Sequence, residues 1–175
     1  MLTDASETTV STRDGASITL RPIRAEDEPL LQDLFAHLNP EDVRRRFFAP
    51  IRELSRTLTD RLSHLDDRRQ MAVIARHDGV TLGAASCFSE VDTRRAEFAV
   101  TVRSDWHGRG VGYLLLNRLT EVARQAGIDE LTGVVLRENK PMLAMCRRLG
   151  FITVQEPSDS TVVLVRKSLC PGSDS

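Results

Sequence analysis

Short apolar runs and longer amphipathic stretches alternate along this chain, and their order predicts a mixed sheet covered by helices. Residues 17–23 alternate apolar and polar side chains as a half-buried strand does. Leu30, Leu31, Leu34, Phe35 and Leu38 then recur at helical spacing, behind Glu26, Asp27 and Glu28 in the first turn and an early, tolerated Pro29. Asn39-Pro40-Glu41-Asp42 reads as a cap, a first-turn proline and two dipole-complementing acids, so a second helix starts there and runs through Arg44, Arg45 and Arg46 into Phe47 and Phe48. Leu58, Leu62 and Leu65 mark a further helix. Residues 71–75 and 80–88 read as antiparallel strands joined by the turn His77-Asp78-Gly79. A β-branched apolar strand follows at residues 96–102. Val111, Leu115, Leu119, Val122 and Ala126 then trace a long helix that Gly127 stops.

The strand expected at residues 131–136 must run parallel to the strand at 96–102, because a crossover helix separates them. Met142, Met145, Cys146 and Leu149 form a last helical stripe ending at Gly150, and residues 151–154 and 161–169 close the sheet as an antiparallel pair. The fold class is therefore α/β (α+β): a mostly antiparallel sheet, one parallel pair at its centre, and helices on both faces. Residues 1–16 and 171–175 are polar and read as flexible ends around a single domain at 17–170.

Between the central strand and the long helix lies Arg103-Ser104-Asp105-Trp106-His107-Gly108-Arg109-Gly110-Val111-Gly112. Gly108, Gly110 and Gly112 leave backbone amides uncovered and deliver them to a helix N-terminus, where free N–H groups and the macrodipole attract anions. Strand, glycine loop and helix together read as a phosphate cradle, against the plainer reading of a glycine-rich turn. A dinucleotide fingerprint would need glycine where Tyr113 stands, and a Walker loop would need Gly-Lys-Ser/Thr, which is missing.

Composition narrows the ligand classes. The 175 residues carry a formal net charge of -1, which argues against a nucleic-acid partner. No apolar run is long enough to span a membrane, and the acidic start lacks the features of a signal peptide. Cys87, Cys146 and Cys170 are odd in number and unpaired in spacing; with His37, His64, His77 and His107 scattered, neither disulfides nor a metal site are indicated, and a cytoplasmic location is expected. The arginine run at 44–46 reads as a solvated helix face.

His107-Gly108-Arg109-Gly110-Val111-Gly112 resembles the pyrophosphate loop of the GNAT superfamily of acetyltransferases, usually Gln/Arg-x-x-Gly-x-Gly/Ala, with His107 in place of Gln or Arg. Asn139-Lys140-Pro141-Met142 followed by Leu149-Gly150-Phe151 is similar to that family's later signature, and the order of elements matches from about Ile18 to Leu169. More narrowly, Leu20-Arg21-Pro22-Ile23-Arg24, Glu26-Asp27-Glu28-Pro29-Leu30-Leu31, Phe47-Phe48 and Arg52-Glu53-Leu54-Ser55 resemble the catalytic domain of Pat-type bacterial protein lysine acetyltransferases. In that group the domain is often fused to a regulatory region, for which 175 residues leave no room; the expectation is a stand-alone catalytic domain.

The resemblance implies a splayed parallel strand pair and acetyl-CoA as cosubstrate. It implies that Val100 and Val102 offer backbone contacts to the pantetheine arm, and that Gly108, Arg109, Gly110, Val111 and Gly112 hold the pyrophosphate. Asn139 matches a cofactor-contacting position, although by local chemistry an Asn ahead of a helix is also simply a cap. His107 either donates a hydrogen bond to a phosphate oxygen or faces solvent.

Acetyl transfer to an amine needs a proton acceptor, because about one lysine in a few thousand is neutral at pH 7. Glu97 is the candidate: a carboxylate in an apolar strand is costly unless exposed, paired or used, and burial would raise its pKa toward a useful value. It shares a face with Ala99 and Thr101, opposite Phe98, Val100 and Val102. The plainer alternatives are a salt bridge to Arg94 or Arg95, or a solvated strand end. The Pat-type resemblance implies a general base here. Many relatives carry a tyrosine acid four residues before the glycine of Leu-Gly-Phe; Cys146 stands there, as a proton donor or a packed core thiol, so the acid is left unassigned.

Three functions fit this reading. One is lysine acetylation of proteins such as acyl-CoA synthetases, by direct attack in a ternary complex. A second is acetylation of a small-molecule amine. The third is a non-catalytic acyl-CoA-binding regulatory module. Oligomeric state is not readable from the pattern.

Overall fold

The computed structural model describes residues 7–47, 70–89, 92–155 and 158–171. Eight strands form one sheet: β1 (Thr8–Ser11), β2 (Ser17–Pro22), β3 (Gln70–His77), β4 (Val80–Ser89), β5 (Arg95–Val102), β6 (Glu130–Leu136), β7 (Ile152–Gln155) and β8 (Val162–Ser168), in the spatial order β1-β2-β3-β4-β5-β6-β8-β7. Every neighbouring pair is antiparallel except β5 and β6. The helices are α1 (Glu28–Ala36), α2 (Pro40–Phe47), α3 (Val111–Gln125) and α4 (Lys140–Arg148).

The strand alternation fixes which helix covers which face. Val73, Ala75 and Ala85 point to one side, where they are buried in a core with Leu115, Leu116, Leu119 and Ala123 of α3 and Leu143, Cys146 and Leu149 of α4. Ile74 and Ala84 point to the other side and pack with Leu31 and Leu34 of α1. A buried fork braces this second layer. Arg21 Nη1 and Nη2 donate to Asp27 at 2.7 and 2.8 Å, while the Arg24 amide donates to the same carboxylate at 2.7 Å. Burial works against the charged form of Asp27, but the Arg21 bonds and the Arg24 amide outweigh it and hold the carboxyl below its ordinary range.

The parallel pair opens almost as soon as it forms. Only Arg95, Ala96 and Glu97 are in register with Glu130, Leu131 and Thr132. Past that point the Phe98 ring lies against Gly133, where an added Cβ would come within 2.5 Å of the ring tip, and it packs edge-on to Phe151 at 5.1 Å. A strand neighbour without a side chain is what lets the ring sit there. The β5 backbone beyond Glu97 therefore has β4 on one side and an open slot on the other.

Most expected elements are found with ends shifted by a residue or two. Asn39 Oδ1 accepts the Asp42 amide at 2.8 Å, as the cap reading requires, and Asp78 and Gly79 turn the β3–β4 hairpin with φ of 47° and 78°. The start of the chain needs correction. Residues 8–11, within the stretch read as a flexible end, form β1 and pair with β2 from Thr8 and Leu20 to Ser11 and Ser17. The helix expected around Leu58, Leu62 and Leu65 lies outside the described residues.

Candidate active site

The chain leaves β5 at Val102, makes one 3-10 turn at Ser104–Trp106 and enters the glycine loop. Gly108 and Gly110 have φ of +74° and +87°, a conformation that side-chain-bearing residues rarely adopt. Gly110 is the helix N-cap and supplies no capping side chain. The first helical bond runs from the Leu114 amide to the Gly110 carbonyl, and the first turn holds no acidic residue. The amides of Val111, Gly112 and Tyr113 have no backbone acceptor among the described residues, so the helix start presents free donors and a positive dipole end. At Gly112 an added Cβ would lie 3.2 Å from Met145 Sδ and 3.4 Å from Val102, so glycine keeps this wall flush.

The loop opens into a cleft of about 810 Å³ that follows the slot between β5 and β6. Glu97, Val100, Val102, His107, Gly108, Arg109, Gly110, Val111, Gly112 and Asn139 all line it, so the fold brings the candidate base and the candidate cofactor contacts to one place. Val134 and Val135 of β6, together with Met142 and Met145 of α4, supply an apolar wall. This geometry suits a long, flexible ligand with phosphates at the helix start and an extended arm along the β5 edge.

Glu97 differs from its sequence expectation. It points away from Phe98 and Val100 as alternation requires, but its side chain is exposed rather than desolvated. Arg94 pairs with Asp129 at 3.2 Å and Arg95 with Glu130 at 3.4 Å, so the anticipated salt bridges are made elsewhere. Directly across β4 from Glu97 stands Phe88, also exposed, at 43%. A carboxylate and an aromatic ring thus sit side by side where the strands part.

His107 is held by α2. Its Nε2 lies 3.3 Å from Asp42 Oδ2 and 3.3 Å from the Val102 carbonyl. Ser104 Oγ donates to the same Asp42 carboxylate and accepts the Asn39 amide at 2.8 Å. Asn139 Oδ1 accepts the Met142 amide at 3.4 Å, a long capping bond, while the residue also faces the cleft. Cys146 is buried and does not line the cleft, and burial pushes its thiol up to about 11. That supports a packing thiol. Met142 and Met145 occupy the positions from which α4 faces the cleft. Among the described residues no group of three His, Cys, Asp or Glu side chains is placed to hold a metal, and no helix is long and apolar enough to cross a membrane.

One wall was not anticipated. The β1–β2 turn brings Ser11, Thr12, Arg13 and Asp14 to the cleft. Asp14 Oδ2 accepts from Arg109 Nε at 2.8 Å and Nη2 at 2.7 Å, and the Arg109 guanidinium stacks on Trp106 at 3.6 Å. Thr12 Oγ1 donates to Asp14 as well. The Thr12 hydroxyl first, then Arg109, holds the Asp14 carboxyl below its ordinary range. The sequence signal available was Asp14-Gly15 between the apolar Val10 and Ile18, a hairpin turn signature.

A glycine loop feeding a helix N-terminus, beside a parallel pair that opens at its third residue, defines an acyl-CoA-dependent N-acyltransferase. Residues 17–152 match the family model for the acetyltransferase (GNAT) domain, and the chain belongs to that family of enzymes, which use acetyl-CoA as cosubstrate. It is 32% identical over 164 residues to an acetyltransferase of Pseudomonas aeruginosa, covering 89% of this chain and 86% of that protein. It is 28% identical to the acetyltransferase Pat of Mycolicibacterium smegmatis over 93% of this chain; at 49% of that protein, the match spans about half the relative's length. Among solved structures, the GNAT domain of S. lividans PAT superposes with a TM-score of 0.87 at 26% identity, covering 93% of this chain and 96% of that one.

Proposed function

We propose that this protein transfers acetyl from acetyl-CoA to lysine side chains of proteins, with Glu97 as the general base. The observation that carries the reading is the pairing of Glu97 and Phe88 at the mouth of the slot, both exposed. A lysine brought there rests its methylene stem on the aromatic ring and presents its ammonium to the carboxylate. Glu97 has no ion-pair partner among the described residues, so its oxygens are available to accept that proton as the amine attacks the thioester carbonyl. The bond between nitrogen and the acetyl carbon forms, the carbon–sulfur bond breaks, and the thiolate departs. The backbone of β5 facing the slot supplies donors for the arm at Val100 and Val102, and the amides of Val111 and Gly112 with Gly108, Arg109 and Gly110 hold the pyrophosphate. His107, tied to Asp42, sits within this cradle, and Asn139 borders it.

The lysine reading draws support from the likeness to two Pat proteins, and it extends to acyl-CoA synthetases as acceptors and to a cytoplasmic setting. The experiment is acetyl transfer from radiolabelled acetyl-CoA into a cell lysate, comparing wild type with Glu97→Gln. Label on a few protein bands, lost in the variant, is the expected result. Label confined to small molecules would replace protein lysine by a small amine as acceptor, and binding of acetyl-CoA without transfer would leave only a binding module.

A further inference from the structure

We propose that Arg13, on the β1–β2 turn, reads the phosphate carried by the ribose of coenzyme A. The inference rests on the acetyl-CoA reading of the cleft and adds to it a subsite from an element outside the glycine loop and the strands that hold the arm. Four arginines line the cleft: Arg13, Arg45, Arg109 and Arg148. Three are engaged. Arg109 is bonded to Asp14, Arg45 Nε lies 3.3 Å from Glu41, and Arg148 lies over the Tyr113 ring at 5.1 Å. Arg13 is exposed and has neither a carboxylate nor a ring partner among the described residues.

Three hydrogen bonds close the turn that carries it. The Thr12 amide donates to the Ala16 carbonyl at 2.9 Å, the Gly15 amide to the Thr12 carbonyl at 3.0 Å, and the Ala16 amide to Thr12 Oγ1 at 2.9 Å. Asp14 is fully occupied by Thr12 and Arg109, so it cancels the Arg109 charge and leaves Arg13 as the uncompensated cation of this wall. The proposed contacts fix the direction of the ligand. With the arm running between β5 and β6 and the pyrophosphate on the α3 start, the nucleoside end leaves on the outer side of the loop, where Trp106 and Arg109 meet the β1–β2 turn. A dianionic phosphate there meets a guanidinium with no competing carboxylate among the described residues, whose planar fork matches its oxygens.

The test is isothermal titration of coenzyme A and dephospho-CoA, which lacks only the ribose phosphate, against wild type, Arg13→Ala and Arg13→Lys. Wild type is expected to prefer coenzyme A by about tenfold, the scale of one charge-assisted contact at an exposed site. Arg13→Ala should lose that preference while holding dephospho-CoA as well as wild type does, and Arg13→Lys should keep part of it. A preference that survives in Arg13→Ala, or equal binding of both ligands by wild type, overturns the subsite alone. Failure of wild type to bind either ligand overturns the acetyl-CoA reading and the subsite with it.

Discussion

At the glycine-loop end of the cleft the chain works with backbone: three amides at the α3 start without a backbone acceptor among the described residues, two glycines at positive φ, and a third glycine where an added Cβ would press on Met145 and Val102. At the opposite end it works with side chains, Glu97 and Phe88 standing on neighbouring strands where the parallel pair parts. A backbone site tolerates changes in most surrounding residues provided the loop conformation holds. A side-chain site changes with a single substitution. The two ends should therefore fail differently when altered, one in binding and the other in turnover.

The largest separation is expected from Glu97→Gln, which keeps shape and removes the base. Its kcat should fall about 10²–10⁴-fold, with the KM for acetyl-CoA within about twofold of wild type. A matching fall in acetyl-CoA affinity would show that the two ends are not independent. Gly112→Val attacks the other end. The added methyls must displace Met145 or enter the cradle, and the Kd for acetyl-CoA should rise about ten- to a hundredfold, with the residual kcat at saturation little changed.

Next comes the brace behind the acceptor face. Asp27→Asn leaves Arg21 buried without its counter-charge and should cost about 3–5 kcal/mol, read as a lower Tm at pH 7. Because the folded carboxyl is held below its ordinary value, the stabilisation is complete above about pH 4 and is lost as the pH falls through the folded value. The Tm difference between wild type and variant should accordingly narrow toward pH 3; a constant difference would mean that packing, not charge, is what the variant loses. The smallest effect belongs to Cys146→Ala. With the thiol buried and pushed up to about 11, kcat should change by no more than about twofold and the alkaline limb of its pH profile should stay in place.

What the chain's pattern announces is whatever short-range chemistry determines. The cap at Asn39, the Asp78-Gly79 turn and the glycine loop each depend on the conformational preferences of a few adjacent residues, and each is found as expected. Glu97 stands out in sequence because a lone carboxylate interrupts an apolar strand, although its exposure depends on what covers that face and periodicity carries no such information. β1 is concealed for a different reason: Thr8, Thr9 and Ser11 leave Val10 as its single apolar residue, and an edge strand of four residues needs no hydrophobic signature. Cys146 shows the limit of alignment to a motif. Its position matches a family acid, yet the helical period places it in the buried stripe with Leu143 and Leu149 and turns Met142 and Met145 toward the cleft. The Asp14–Arg109 contact spans 95 residues, beyond the reach of any local rule.

That span bears on the order in which the molecule becomes competent. During synthesis the β1–β2 hairpin emerges before the loop it clamps, which follows it by almost a hundred residues. The helix start and its free amides can form locally, but the wall that closes over Arg109 needs a contact across the whole of that intervening chain. The cleft is completed later still, when β6 and α4, which follow the loop in the chain, bring Val134, Val135, Asn139, Met142 and Met145 to its far wall.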